Sequence, residues 1–184
     1  IVMVRCALAE RRVDGKVVWI TGGGAGIGRA LALAFADEGA RVAVSGRRRH
    51  RLDEVVAEIA ERGQSGLAIP CDVSEEAEVV GAVDAVISEW GRLDVAVANA
   101  GFAVAGPVSK LNQADWRRQF DVNVIGAALT VRHAMEHLRK VNGRAVFMGA
   151  VASQLPLPGN SAYHASKHAL RAISESLSLE LVGT

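Results

Sequence analysis

The sequence has 184 residues, half of them apolar, enough to bury one sizeable core and to be read as a single domain. Lys and Arg number 21 against 20 Asp and Glu, a balance that gives no electrostatic reason to expect a nucleic acid or an anionic membrane as partner. No apolar run approaches the ~20 residues that span a bilayer, and two cysteines, Cys6 and Cys71, form no metal-ligand pattern and suit a reducing cytoplasm better than a disulfide framework. Residues 1–13 read as an N-terminal extension. Ile1 to Ala9 is apolar but short, and its one basic residue, Arg5, sits in the middle, unlike the basic start of a signal peptide.

From there the chain alternates. Short, continuously apolar, Val-rich runs at Val17–Ile20, Arg41–Ser45, Leu67–Ile69, Val95–Ala98 and Ala145–Met148 predict strands covered on both faces. Helical spacing separates them: Leu31, Ala34 and Phe35 mark the first apolar face, Leu52, Val55, Val56 and Ile59 the second, and Val79, Val83, Val86 and Ile87 the third. Longer helical stretches follow at Gln113–Lys140 and Ala162–Leu181. Strand and helix in strict alternation predict a parallel sheet with right-handed crossovers, a doubly wound α/β domain in three layers over residues 14–184.

The first strand runs directly into Thr21-Gly22-Gly23-Gly24-Ala25-Gly26-Ile27-Gly28, and a helix begins at once. Glycines permit a tight strand-to-helix turn and let backbone approach a pyrophosphate at the positive helix terminus. A glycine cluster alone is equally an ordinary turn; placed after an apolar strand in a βαβ unit it points to a nucleotide. The spacing Thr-Gly-x-x-x-Gly-x-Gly resembles that of the short-chain dehydrogenase/reductase family. The resemblance implies a Rossmann fold that binds NAD(P) through Thr21, Gly22, Gly26, Ile27 and Gly28.

The second strand ends in Gly46-Arg47-Arg48-Arg49, so no carboxylate stands where NAD-binding domains grip the ribose hydroxyls. Nothing there repels a 2′-phosphate, and Arg47 is able to pair with one bidentately. The expected cofactor is therefore NADP, with NAD as the alternative. The plainer reading makes Arg47, Arg48, Arg49 and Arg51 a solvated helix start. After the third strand comes Cys71-Asp72-Val73; the resemblance implies that Asp72 and Val73 hold the adenine ring, although an Asp here also suits a cap for the helix starting Ser74-Glu75-Glu76. After the fourth strand, Asn99-Ala100-Gly101 resembles the family's sheet-stabilising segment that lines the cofactor cleft. In isolation it is a turn.

Tyr163-His164-Ala165-Ser166-Lys167 opens the last helix and puts Tyr163 and Lys167 on one face. A free phenol titrates near ~10, poorly matched to proton transfer at neutral pH, and an ammonium about 4 Å away at an effective dielectric near 20 favours phenolate by about 4 kcal/mol. Tyr163 is thus the candidate acid and base, activated by Lys167, and both also belong to the cofactor site. The resemblance adds Asn123 as the catalytic Asn of the long helix, where a mid-helix Asn asks for a reason. It also implies a serine thirteen residues before the Tyr, and Ala150 stands there. A methyl group donates no hydrogen bond, and loss of one such donor costs about 10²–10³ in rate. Ser153 is the least satisfactory substitute. The apolar segment Val151–Gly159, with Pro156 and Pro158, is expected to line the substrate entrance.

His133 and His137, one helical turn apart, have no ligand partner at a recognisable spacing, so no metal is assigned, and Trp19, Trp90 and Trp116 read as packing residues. The resemblance implies an oxidoreductase moving hydride between NADP(H) and a carbonyl or secondary alcohol, with no nucleic-acid or membrane partner, a cytoplasmic location, and a homodimer or homotetramer paired through its long helices. The alternative is a dinucleotide-binding protein with little or no catalysis, given Ala150 and a sequence that stops at Thr184, before the family's substrate-binding C-terminal elements. A Rossmann-like methyltransferase has no use for Tyr163 and Lys167 together.

Overall fold

The computed structural model describes residues 13–155 and 157–181, so the expected extension over 1–13, but for Val13, lies outside the described residues, as does Cys6. Five strands, β1 (Val17–Thr21), β2 (Arg41–Gly46), β3 (Gly66–Pro70), β4 (Val95–Ala98) and β5 (Arg144–Phe147), form one parallel sheet in the order β3-β2-β1-β4-β5. The connections are α1 (Gly26–Asp37), α2 (Arg49–Ala60), α3 (Glu76–Trp90), α4 (Gln113–Phe120) running on into α5 (Gly126–Lys140), and α6 (Ser161–Glu180) closes the described chain. The doubly wound reading holds. The chain winds outward from β1 to β3 and then returns to place β4 on the other side of β1. That reversal opens a crevice above the C-terminal ends of β1 and β4, where α/β sheets bind ligands.

Alternation along β1 explains why the sheet is covered twice. Val17 and Trp19 pack with Val79, Val83, Val86, Ala134 and Leu138 on one face. Val18 and Ile20 pack with Ala32, Ala36, Leu52, Val55 and Ile59 on the other. Every residue of β1 is buried, which is why it shows no polar alternation. The apolar face of α1 departs from expectation: Ala32 and Ala36 face the sheet, while Ala34 is exposed and Leu31 and Phe35 are only partly buried. The small alanines let the helix approach the sheet closely, and counting larger side chains misses that face.

At the opposite edge of the sheet from the crevice, buried Asp94 secures the entries of β1 and β4. It accepts the Val17 N–H (3.0 Å) and both nitrogens offered by Arg92 (2.8 and 2.6 Å), with Lys16 at 3.3 Å. Trp19 is fully buried and donates its indole N–H to Ser45 Oγ (3.0 Å). The stretch expected as one helix over Gln113–Lys140 is α-helical at both ends but passes through a π-helical turn at Asp121–Ile125, with the Gly126 N–H reaching back to Asp121 O. A one-residue widening of this kind leaves no mark in the apolar period, and such turns gather at functional sites. Its start is fixed by a reciprocal cap between Asn112 and Asp115. Among the described residues, no helix is long and apolar enough to cross a membrane.

Candidate active site

The turn from β1 into α1 is shaped by contacts that exclude side chains. A Cβ at Gly28 would lie 2.3 Å from Gly22 O, and one at Gly22, which holds φ +66, would lie 2.8 Å from Ala100 Cα. Asn99 Nδ2 donates to Thr21 O (2.9 Å) and Gly22 O (3.3 Å), fastening the turn to the end of β4. Thr21 Oγ1 accepts the N–H groups of Asn99 and Ala100 (both 3.1 Å). Thr21 is buried beneath the turn, so it braces the loop from below and does not line the cleft. Ala25 supplies no side-chain cap to α1, and no acidic residue occupies the first turn. The leading N–H groups of α1 therefore meet no protein carboxylate, a setting that suits a phosphate.

A cleft of about 720 Å³ runs from this turn past the ends of β2 and β3 to the start of α6. Gly22, Gly26, Ile27, Gly28, Arg47, Asp72, Val73, Asn99, Ala100, Gly101, Tyr163 and Lys167 all line it, so of the residues read from the sequence only Thr21 and Asn123 lie off its wall. Its charged lining is Arg47, Arg48, Arg51 and Lys167 against the single carboxylate of Asp72. Arg49 pairs with Asp53 (2.7 Å) and Arg51 with Glu54 (3.0 Å), whereas Arg47 is 67 % exposed and reaches Asp72 only at 3.9 Å. Arg47 thus remains free to turn toward an anion. Gly46 lines the cleft at the ribose-gripping position and offers no carboxylate. Asp72 does two things: Oδ1 accepts the Ser74 N–H (3.1 Å) and hydroxyl (2.7 Å), while the residue still borders the cleft. Beside it, burial, aided by Glu78 and Asp72, pushes the Cys71 thiol up to about 12 and keeps it neutral.

At the far end, Tyr163 is half-buried and Lys167 buried, one turn apart on α6. The Lys167 ammonium donates to Met148 O (2.7 Å), beyond the end of β5, and lies 5.7 Å from the centroid of the Tyr163 ring. Burial holds the Lys167 ammonium below the ordinary lysine range. Asn123 sits in the π-helical turn, fully buried. Its Nδ2 donates to Phe102 O (2.9 Å) and Ser166 Oγ (3.1 Å), and its Oδ1 accepts the Phe102 N–H (3.1 Å). Ser166 in turn donates to Tyr163 O (2.7 Å), so Asn123 connects to the Tyr163 backbone through one hydroxyl.

Residues 16–184 match the family model for short chain dehydrogenases. The chain belongs to the short-chain dehydrogenase family. It is 36 % identical over 171 residues to an uncharacterized oxidoreductase of Methylorubrum extorquens, an alignment covering 92 % of this chain and 68 % of the relative. Among solved structures it is similar to an NAD⁺-bound xylitol dehydrogenase (TM-score 0.89, 33 % identity, 93 % of this chain and 66 % of that one). It is also similar to an alcohol dehydrogenase from Thermococcus sibiricus complexed with 5-hydroxy-NADP (TM-score 0.88, 29 % identity, 91 % and 72 %). The chain spans between 50 and 68 % of the length of relatives of this kind.

Ala150, at the position where the resemblance implied a serine, lines the cleft together with Tyr163 and Lys167 and offers no side-chain donor. Ser153 does not replace the missing hydroxyl: its Oγ donates to Ala150 O (2.7 Å) and it lies off the cleft wall. Sequence reading also missed Gln119. This fully buried amide donates to Phe102 O (2.6 Å) and accepts the Val104 N–H (2.7 Å), so Gln119 and Asn123 together hold the loop whose Gly101, Phe102 and Ala103 form one wall. A Gln one turn before the Asn was the available signal. His133, which had no ligand partner at a recognisable spacing, meets Glu76 of α3 at 2.8 Å, an acidic neighbour that sequence spacing does not reveal. Among the described residues no three His, Cys, Asp or Glu side chains gather as a metal site.

Proposed function

We propose that this oxidoreductase-family chain moves a hydride between NADP(H) and a carbonyl or secondary-alcohol substrate, with Tyr163 as acid and base. The observation that carries the reading is a single cleft joining the glycine turn to Tyr163 and Lys167. The residues suit a dinucleotide. Uncapped N–H groups at the start of α1 take the pyrophosphate, Asp72 and Val73 border the adenine position, and Arg47 with Arg48 favours a 2′-phosphate where no carboxylate opposes it. NAD remains the alternative, since one relative is named for its bound NAD⁺ and another for an NADP derivative.

When bound against this cleft, the cofactor would supply the hydride chemistry. In reduction, Tyr163 gives its phenolic proton to the carbonyl oxygen; in the reverse direction it takes the alcohol proton back. Lys167 stabilises the resulting phenolate through its positive charge, and an ammonium has donors beyond the one spent on Met148 O to offer the ribose hydroxyls. Asn123 holds the opposing wall and the backbone behind Tyr163. We place this chemistry in one domain over 14–184 of a cytoplasmic homodimer or homotetramer. A second reading, cofactor binding with feeble catalysis, is favoured by Ala150 alone.

Nicotinamide fluorescence and the reduced-cofactor absorbance test both readings with a panel of ketones. NADPH should bind more tightly than NADH, and Tyr163→Phe should lower turnover by about 10²–10⁴ while leaving NADPH affinity intact. Failure to bind either nucleotide, or a fully active Tyr163→Phe chain, overturns the proposal; binding without turnover favours the second reading.

A further inference from the structure

The segment that follows β5 borders the proposed substrate side of the cleft, and much of its apolar surface is exposed. Ala150 lines the cleft, residues 151–153 form a single 3₁₀ turn, and Val151, Leu155 and Leu157 are 74, 63 and 64 % exposed. One buried side chain spans it. His164 Nδ1 meets Ala152 O at 2.9 Å, and its Nε2 receives the Leu157 N–H at 3.1 Å. Among the described residues, no other side chain from outside residues 150–157 hydrogen-bonds to them.

The chemistry of these two contacts fixes the imidazole. A backbone N–H only donates, so Nε2 must hold its lone pair toward Leu157, and the ring proton must sit on Nδ1, donated to Ala152 O. Both ring nitrogens are satisfied only in this neutral tautomer. We propose that His164 is a positioning residue that holds the segment after β5, and with it Ala150, in a single tautomer, and that protonation releases the Leu157 end. This rests on the proposed substrate site. An imidazolium presents N–H to N–H at Leu157, so the tether weakens as pH falls. The segment 150–157 contributes no titratable side chain. From α6, Tyr163 stands with its ring edge-on at 6.2 Å between centroids, Lys167 directs its ammonium to Met148 O, and exposed His168 donates from Nδ1 to the His164 carbonyl.

Nitrogen-15 spectra of the full chain labelled on histidine decide the tautomer without any turnover, with the His164 signal identified by its loss in His164→Gln. A single Nδ1–H form at neutral pH is expected; an Nε2–H form or an averaged pair of tautomers overturns the proposal. Kinetics then test the consequence. His164→Phe, which removes both bonds, should raise KM about tenfold with NADPH affinity unchanged. His164→Gln, which keeps a side-chain acceptor, should recover most of it and remove the rise in KM expected of the parent on acidification. Equal KM and equal pH profiles in parent, Phe and Gln chains overturn the positioning role. If no substrate turns over, the spectra still decide the tether while the enzyme reading fails separately.

Discussion

The two ends of the cleft are held in different ways. At the glycine turn, shape follows from backbone that has no room for side chains: Gly28 abuts Gly22 O, and Thr21 and Asn99 fasten the turn to β4 from below. At the Tyr163 end, loops are positioned by a few side chains. Gln119 and Asn123 hold residues 102–104, and His164 holds residues 152 and 157. At Gly22 and Gly28 an added Cβ runs into backbone, and such overlap has no gentle form. The second end is adjustable, since it rests on individual hydrogen bonds that each contribute only roughly 1 kcal/mol.

The largest effect should come from restoring a donor at the adjustable end. Ala150→Ser is expected to raise turnover about 10²–10³-fold with no change in NADPH affinity, measured by steady-state absorbance. An unchanged rate would mean that position 150 is not where this chain polarises its substrate. Next in size is an insult to the rigid end. Gly28→Ala should destabilise the chain by about 3 kcal/mol in urea melts and abolish NADPH binding, because its Cβ meets Gly22 O at 2.3 Å. Gly26→Ala makes the contrast sharper. Gly26 sits at φ +54 with nothing within 4 Å of the added carbon, so only the left-handed strain remains, about 1–2 kcal/mol. Equal losses at the two glycines would break the distinction between crowding and conformation.

The rigid end, and the Tyr163–Lys167 pair at the other, were legible in the sequence because their determinants are local. An apolar run followed by Thr21–Gly28 states strand, turn and helix in order, and Tyr163 with Lys167 lies one helical turn apart on a single face. All five strands were bounded within a residue at each end, β4 without error and β5 displaced as a whole by one residue toward its start. What the sequence hid depends on long-range approach. Gln119 looks like any polar helix residue until the loop after β4 lies against it. The π-helical turn at Asp121–Ile125 changes the facing of Asn123 without altering composition. Ala32 and Ala36, rather than Ala34, face the sheet because close packing there rewards small side chains, not apolar ones in general. Glu76 reaches His133 only because α3 and α5 lie side by side on one face of the sheet.

A smaller effect lies away from both ends, at Asp94. Burial alone would raise its carboxyl, but the Arg92 side chain, the Val17 N–H and Lys16 outweigh burial and hold it below the usual carboxylate range. A carboxyl that is more acidic folded than unfolded contributes stability above its unfolded pKa, ordinarily about 3.9, and loses it as pH falls through the lower folded value. Chemical melts should therefore show the chain weakening below about pH 4, where the unfolded state binds the extra proton. Asp94→Asn should flatten that acid limb and lower stability at neutral pH by about 1 kcal/mol, the modest figure reflecting how far Arg92 and Lys16 remain in contact with solvent. The Val17 N–H keeps an acceptor in the amide, so the entry to β1 should survive. Because Asp94 sits at the N-terminal ends of β1 and β4, opposite the crevice, NADPH affinity in this variant should match the parent. A change in affinity would mean that strain at the base of the sheet reaches the glycine turn, and the cofactor end would then owe its rigidity to the whole of β1 rather than to the contacts around Gly28.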